Sequence, residues 1–370
     1  MLGTIYKAHW GSEGEREPAS IKRFVKLLGK PGILSPKVKD FRAYAHLFDE
    51  ILDAYVITLA AEKMLATSEQ DFHVRLCQAD LPRLINAIVD DIYPWEYHGI
   101  ARVHQMRHGA DGAGVALEER DILFENSLLL CQQGLVYRDF TSAVSAGDTG
   151  RLKHILSFWT TQLHGTSNIN YPREMLHLMA CLTKIWTPEM QNIWMQNCLV
   201  NPSGERGKWM PDDLFGEYVV RESKAKINPS TNVLSDRHLC ETIGSQVMSL
   251  YACKKTMARE CRSRNYGTRS TELSTSFDVA HLMRTLLEET IARFTPNRVR
   301  NEQGTDYWSV PDLLSIGAAK LASGIPLKKY QERARCFWIS GGYMDVEAHD
   351  MEDEDRGLLD DEDLSMDDLL

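Results

Sequence analysis

The sequence predicts a mainly α-helical protein, with irregular helical domains, few or no strands and a disordered acidic tail at its C-terminus. Three observations lead to this fold class: apolar residues recur at helical spacing, hairpin turns are missing between apolar runs, and acids crowd the last 26 residues. We expect a helical body over residues 1–344 and the tail over 345–370. A sub-boundary inside the body is expected near 94–116 or 200–213, where chain-breaking residues cluster.

Helical periodicity is the strongest signal in the chain. Apolar residues that lie three or four positions apart form one face of each expected helix. Such sets run from Phe41 to Leu59, from Met175 to Ile185, from Leu239 to Leu250, from Val279 to Phe294 and from Leu313 to Leu321. For the last helix, Ser309 is the expected N-cap and Pro311 an expected first-turn residue, because the first turn leaves its amides unpaired and Pro has none.

Strand and loop signals complete the outline of the body. The Asp111-Gly112 pair has no alternating apolar run before it, so it does not predict a β-hairpin. Clusters of Gly, Pro and polar residues predict loops over 94–114, 201–211 and 295–311. The body is therefore expected to consist of helices joined by a few long loops.

Charge is distributed unevenly between the body and the tail. The formal net charge is −10, but residues 345–370 hold thirteen acids and one Arg, which leaves the body near +2. Mutual repulsion and few buriable side chains predict disorder for the tail. The acidic overall balance therefore does not exclude a nucleic-acid partner for the body.

The tail also carries a pattern of its own. From Leu358 to Leu370, Leu and Met are interleaved with acids, a composition typical of disordered segments that fold into a hydrophobic groove of a partner protein. Two other interpretations stay open: a solubilising tail, and an intramolecular mask for basic residues of the body. A protein partner that binds the tail is thus one predicted partner.

Cysteine usage and the N-terminus predict an intracellular protein, either nuclear or cytoplasmic. The eight cysteines include no C-x-x-C pair, so they are interpreted as free thiols in a reducing compartment. The first residues lack a basic stretch followed by an apolar run, and no apolar run is long enough to span a membrane. We therefore predict no membrane partner, and the sequence carries no signal for the oligomeric state.

Basic residues cluster once, and this cluster is the predicted nucleic-acid contact. Tyr251 and Tyr266 accompany it, and Glu260 is its only acid. Such a run is typical of a surface that contacts phosphates, and equally of the solvated end of an amphipathic helix. The candidate residues are Lys254, Lys255, Arg259, Arg262, Arg264 and Arg269.

Motifs for known catalytic chemistry are incomplete. His104 and His108 have the spacing of a zinc protease helix, but Gln105 stands where the general-base Glu is required. Glu174 and His177 form a single Glu-x-x-His half-motif, whereas di-iron bundles need two copies and further Glu residues. The sequence therefore predicts no metal site and no cofactor.

A series of short motifs resembles a large fungal family known as domain of unknown function 6589. The series opens with His9-Trp10-Gly11. It continues with a Gly-Asp-Thr-Gly-Arg turn at 147–151, an Asn-Tyr-Pro-Arg-Glu segment at 170–174, and Val-Asn-x-x-Gly-x-x-Gly at 200–207, and it ends at Asp212, Asp213 and Glu217. The resemblance covers most of residues 1–270. The family normally has sequence ahead of His-Trp-Gly, so we expect an N-terminally incomplete copy.

The resemblance implies one enzymatic alternative. Members of the family are similar in places to transposon-derived proteins, so a ribonuclease-H-like nuclease core is implied, in which carboxylates hold two metal ions. Asp148 and Glu174 are the nominated catalytic residues, and Asp212, Asp213 and Glu217 are substitutes.

The same acids also have structural interpretations at helix starts, and we favour these. Asp148 is an expected N-cap. Asn170 is an expected cap with Glu174 reaching back to it. The sequence as a whole thus predicts a non-enzymatic, transposon-related interaction or nucleic-acid-binding protein, with a fragment of a metal-dependent nuclease or transposase as the alternative.

Overall fold

The computed structural model describes residues 1–11, 18–30, 32–33, 35–39, 41–92, 103–104, 106–109, 114–168, 170–227, 249, 253, 275–301 and 304–339. These residues are mainly helical, with one sheet of two short strands, which confirms the predicted fold class. The tail at 345–370, the basic run at 254–269 and most of the expected helix at 239–250 lie outside the described residues. Among the described helices, none is long and apolar enough to cross a membrane.

The chain divides into two compact units, each assembled from separate stretches of sequence. The first unit comprises Met1–Asp139, Ile155–Met179 and Ser274–Asp360. The second comprises Phe140–His154, Ala180–Leu273 and Asp361–Leu370. In chain order the elements are α1 Leu2–His9, α2 Ile21–Leu27, α3 Phe41–Lys63, α4 Glu69–Gln78, α5 Leu81–Ile92, α6 Ile122–Ala146, α7 Thr149–His164, α8 Asn170–Ala180, α9 Pro188–Asn197, β1 Leu199–Val200, β2 Met210–Pro211, α10 Asp212–Ile227, α11 Ser276–Glu288, α12 Leu313–Ala322 and α13 Ile325–Ile339.

The core of the first unit is built on the apolar face of α3, as the periodicity predicted, except that Phe41 at the start of the predicted set is 46% exposed. Tyr44, Phe48, Ile51, Tyr55 and Leu59 are each at most 2% exposed. The apolar face of α11 packs on the same helix. Burial of each such side chain contributes about 1.5–3 kcal/mol, so this pair of helices supplies much of the stability of the unit.

Two glycines allow α7 and α12 to cross with their backbones in contact. A Cβ atom at Gly317 would overlap the carbonyl oxygen of Thr161 and lie 2.9 Å from the amide nitrogen of Gly165. A Cβ atom at Gly165 would in turn overlap the carbonyl oxygen of Leu313. Only hydrogen fits at either position, so the crossing depends on both glycines.

The start of α12 differs from the prediction. Asp312, not Ser309, is the N-cap: its carboxylate accepts a hydrogen bond from the Ser315 amide at 3.1 Å and another from the Ser315 hydroxyl at 2.6 Å. Pro311 accordingly lies before the helix and not in its first turn. A carboxylate that bonds both groups of one residue is a stronger cap than the serine hydroxyl that we expected.

The expected loop at 94–114 contains helical residues in its described part. His104 and His108 are exposed, but they lie in helical turns with ring centroids 4.5 Å apart. The Val115 amide donates to the Arg107 carbonyl at 3.0 Å, and the Arg107 guanidinium pairs with a buried carboxylate of α6. This long-range ion pair fixes a local conformation that the Gly-rich sequence does not favour.

The second unit brings two of the sequence motifs together. The tight turn between α6 and α7 places Gly147 at φ +73°, and a Cβ atom there would lie 2.8 Å from the indole ring of Trp209. Strands β1 and β2 pair antiparallel, Leu199 with Pro211 and Val200 with Met210, and the loop between them ends at this Trp. The Gly147 turn and Trp209 therefore pack against each other, which gives the first glycine of the 147–151 motif a structural role.

A buried histidine in the first unit predicts acid sensitivity. His9 is 2% exposed, and burial lowers its pKa to about 4, against the smaller opposing effect of a hydrogen bond to Gln133. Its pKa in the unfolded chain is about 6.5. Between these two pH values the His9 imidazole is protonated in the unfolded chain but neutral in the folded chain. The free energy of unfolding therefore falls as the pH drops from about 6.5 to about 4, by at most roughly 3 kcal/mol.

This expectation is checked by urea unfolding of the full chain at several pH values between about 4 and 7. His9→Gln should flatten the pH dependence of the free energy of unfolding in that window, because Gln does not titrate. His73→Gln is the matched control, since the His73 side chain is 67% exposed. An unchanged slope in the His9 variant would show that other groups cause the acid sensitivity.

Candidate functional site

The first nominated carboxylate, Asp148, caps a helix. It precedes α7 directly, and its Oδ1 accepts a hydrogen bond from the Arg151 amide at 3.0 Å. Its Oδ2 lies 3.5 Å from Nε of Arg151, and about half of the Asp148 side chain is exposed. The structural interpretation of this residue is therefore confirmed: it satisfies an amide that the first turn of α7 leaves without a partner.

The second nominated carboxylate, Glu174, lies on the surface of α8. Its side chain is 63% exposed and accepts a hydrogen bond from the neighbouring Arg173 at 3.0 Å. The predicted cap is wrong in two respects: Asn170 is already the first residue of α8, and the Glu174 carboxylate accepts a hydrogen bond from Arg173 instead of reaching back to Asn170. His177 on the same helix lies 3.0 Å from the hydroxyl of Tyr330, so this helix face serves packing between α8 and α13.

The substitute carboxylates lie together in α10 of the second unit. Asp212 and Asp213 form the start of the helix, as predicted. The Asp212 amide donates to the Cys198 carbonyl at 3.1 Å, and Oδ1 of Asp213 accepts from the Leu214 amide at 2.8 Å. Glu217 is exposed one turn further on. Negative charge in the first turn stabilises a helix through its dipole, which gives the two aspartates an architectural role.

The nominated acids belong to different units of the fold. Asp148 lies in the second unit with the acids of α10, whereas Glu174 lies in the first. Across the described ranges, no group of three or more His, Cys, Asp or Glu side chains could hold a metal ion. Each of the two nominated acids thus has a local structural contact within its own unit.

The most deeply buried carboxylates are ones that sequence reasoning missed. Asp121 is fully buried at the start of α6 and forms a bidentate ion pair with Arg298: Nε lies 2.9 Å from Oδ1, and Nη2 lies 2.6 Å from Oδ2. It also accepts hydrogen bonds from the amides of Phe124 and Thr295, at 3.1 Å and 2.7 Å. Four donors saturate this carboxylate, so it ties the loop after α11 to the first turn of α6.

Glu125, one helical turn later, is the second buried carboxylate. Nε of Arg107 lies 2.8 Å from its Oε2, and Arg120 bonds both of its oxygens, at 3.0 Å and 2.7 Å. The hydrogen bond to Glu125 raises the pKa of Arg120, against burial. Glu125 is 0% exposed, and its partners are only 12% and 16% exposed at their side chains. Two cations therefore neutralise one buried anion in a largely water-free setting, which makes this pairing structural.

A third charged cluster joins α3 to α11. Lys30 lies 2.8 Å from Asp278 and 3.6 Å from the buried Glu50, which His46 approaches to 3.2 Å. Burial raises the pKa of Glu50, and the neighbouring Lys30 and His46 act in the opposite direction. Burial alone would lower the pKa of Lys30, but its bonds to Asp278 and Glu50 outweigh burial and raise it. The cluster holds the main helix pair of the first unit together.

Exposed cations on α13 were not singled out from the sequence. Lys328, Lys329 and Arg333 are exposed, and within the part of the chain that the structure describes no acid pairs with them. The run of Lys and Arg at 328–335 was the available signal. The predicted basic residues, by contrast, lie outside the described residues: Lys254, Lys255, Arg259, Arg262, Arg264 and Arg269.

Comparison with known proteins yields one match. The model of a family described as "Family of unknown function (DUF6589)" matches residues 1–270. Neither a curated protein nor a solved structure matches the chain.

Proposed function

Because the chain belongs to the DUF6589 family, a family of unknown function that offers no activity to transfer, we propose a function from its own residues. We propose a non-enzymatic, transposon-related binding protein that contacts the phosphate backbone of nucleic acid through the basic run at 254–269. The transposon relation and the fungal origin come from the resemblance of the motif series. The proposed contact with nucleic acid rests on the excess of Lys and Arg in residues 254–269.

The observation that carries the non-enzymatic part is the local role of the nominated acids. Asp148 caps α7, Glu174 pairs on the surface with Arg173, and the two aspartates of α10 lie in its first turn. A carboxylate that binds catalytic magnesium must be free to offer its oxygens to the metal. One oxygen of Asp148 is already engaged with a backbone amide, and this favours a structural protein over the nuclease alternative.

The distribution of charge supports nucleic acid as the partner. Residues 254–269 hold six bases and one acid, and the chain without its tail has a charge near +2 despite the overall balance of −10. Lys and Arg that neutralise phosphates release condensed counterions, so binding of this kind weakens steeply with salt. Tyr251 precedes the run and Tyr266 lies within it, and aromatic residues of this kind stack with unpaired bases.

Fluorescence anisotropy of labelled single- and double-stranded DNA with the full chain tests this proposal. Lys254→Ala, Lys255→Ala, Arg259→Ala and Arg262→Ala combined should weaken binding and make the slope of log K against log salt shallower by roughly three to four, about 0.9 for each lost phosphate contact. The matched control removes four exposed lysines elsewhere, Lys7, Lys22, Lys39 and Lys184, and should leave most of the slope unchanged.

Two outcomes would overturn the proposal. Equal affinity of the basic-run variant and the unaltered chain would remove the assignment of the run. Cleavage of the DNA in the presence of magnesium or manganese, lost on Asp148→Ala, would instead establish the nuclease alternative.

A further inference from the structure

Helix α13 carries an exposed aliphatic side chain in its first turn, and exposed cations follow it along the helix. Ile325 is 58% exposed, and Lys329 and Arg333 follow it at four-residue steps on the same side of the helix. Lys328 and Glu332 border this row, and all four charged side chains are exposed. Tyr330 lies about a quarter of a turn further round the helix, and its hydroxyl lies 3.0 Å from His177 of α8. We call Ile325, Lys329 and Arg333 together with the neighbouring Lys328 the α13 surface.

The chemistry of the α13 surface selects an acidic ligand with apolar side chains. Its three cations have no acidic partner among the residues that the structure describes. Glu332 would repel a phosphate backbone and an acidic peptide alike, but Ile325 gains only from a ligand that carries aliphatic groups. A large exposed aliphatic side chain among cations is therefore better matched by an acidic amphipathic segment than by nucleic acid.

The last residues of this same chain have the required composition. Residues 345–370 hold thirteen acids against one Arg, and between Leu358 and Leu370 the acids are interleaved with four further Leu or Met residues. Alternating acids and aliphatic residues can pair with the lysines and the arginine while covering Ile325. The segment complements the α13 surface in both respects.

The chain between α13 and the acidic segment is long enough for the segment to reach the α13 surface. Ten residues, 340–349, separate the end of α13 at Ile339 from the dense run of acids that begins at Asp350. Ten residues of chain reach at most roughly 33–36 Å. Lys329 lies ten residues before Ile339, roughly 15 Å back along the helix. A short tether of this kind gives an effective concentration of about 1 mM or more, so even a weak contact is well populated.

We propose that the acidic segment 345–370 docks on the α13 surface of its own chain, with its carboxylates on Lys328, Lys329 and Arg333 and its Leu and Met side chains over Ile325. This contact is independent of the nucleic-acid contact proposed for residues 254–269. It adds a second, intramolecular binding surface to the protein.

Amine acylation of the full chain, read out by mass spectrometry, tests the docking without any nucleic acid. Lys328 and Lys329 should react about three- to tenfold more slowly at low salt than in the variant Asp360→Asn, Asp361→Asn, Glu362→Gln, Asp363→Asn, because bound carboxylates shield the amines. Exposed Lys22 and Lys184 serve as internal references whose rates stay equal in both proteins. Zero-length carbodiimide coupling should in addition join Lys328 or Lys329 to an acid of the tail.

The acylation and coupling results distinguish docking of the tail on its own chain from no docking and from docking on a second copy. Equal acylation rates in the two proteins, together with no coupling between α13 and the tail, would overturn the proposal. Protection that grows with protein concentration would also overturn it, because the tail would then come from a second copy. High salt should abolish protection in the unaltered chain, since exposed ion pairs are screened.

Discussion

Glu125→Gln is expected to lower the free energy of unfolding by about 3–5 kcal/mol, the usual cost of removing one partner from a buried ion pair. Gln keeps the size and shape of the side chain, so the substitution removes the negative charge and little packing. Arg107 and Arg120 would remain, 12% and 16% exposed, without the anion that neutralises both of them. Urea unfolding of the full chain, followed by far-ultraviolet circular dichroism, measures the loss.

Glu174→Gln is the control for this experiment. It is the same substitution in the same unit, but at a side chain that is 63% exposed and paired only with its neighbour. An exposed pair of this kind contributes little to stability, so the unfolding midpoint should barely move. If Glu125→Gln were as harmless as the control, the buried carboxylate would not hold the loop before α6 in place.

Gly317→Ala is expected to destabilise the first unit by about 2 kcal/mol, because an overpacking cost of about 3 kcal/mol outweighs the gain in helix propensity. Ala would gain about 1 kcal/mol in helix propensity over Gly. Against this, overpacking a close contact usually costs 1–3 kcal/mol or more. Here the new methyl group would meet the backbone carbonyl of Thr161, which cannot swing aside as a side chain can, so α7 and α12 would have to separate. Thermal unfolding of the full chain measures the shift.

Gly216→Ala provides the matched comparison, because Gly216 lies inside α10 with open space around its Cα. At Gly216 the higher helix propensity of Ala is gained without a steric clash. The variant should therefore be as stable as the unaltered protein or slightly more stable. A Gly317 variant that matched the Gly216 variant in stability would mean that the two helices do not cross with their backbones in contact.

Local features of the fold could be predicted because a few neighbouring residues encode them. The periodicity from Phe41 to Leu59 predicted α3, and the set from Val279 predicted α11. Asp148 was recognisable as a helix cap from its position between two glycines ahead of an apolar pattern. Hydrogen bonds of caps and the burial of one helix face are decided within one or two turns, so the sequence alone located these two helices and this cap.

Candidate sites were harder to predict, because they depend on which distant residues meet. The pairing of acids and bases in the buried clusters joins residues far apart in the chain, as in the 177-residue separation of Asp121 and Arg298. Nothing near Asp121 distinguishes it from an ordinary helix cap. The N-cap of α12 was likewise misplaced by three residues, because Ser309 and Asp312 both satisfy the local rule.

By itself, the sequence determined that this protein is mainly helical, that a DUF6589 motif series runs through it, and that its charge is divided between a nearly neutral body and a strongly acidic end. Only the tertiary structure decided which carboxylates are buried and which glycines are indispensable. The reason is physical: periodicity and capping act over a few residues, whereas desolvation and steric contact depend on what the folded chain brings alongside. Glu125 and Gly317 owe their importance to partners that no local pattern identifies.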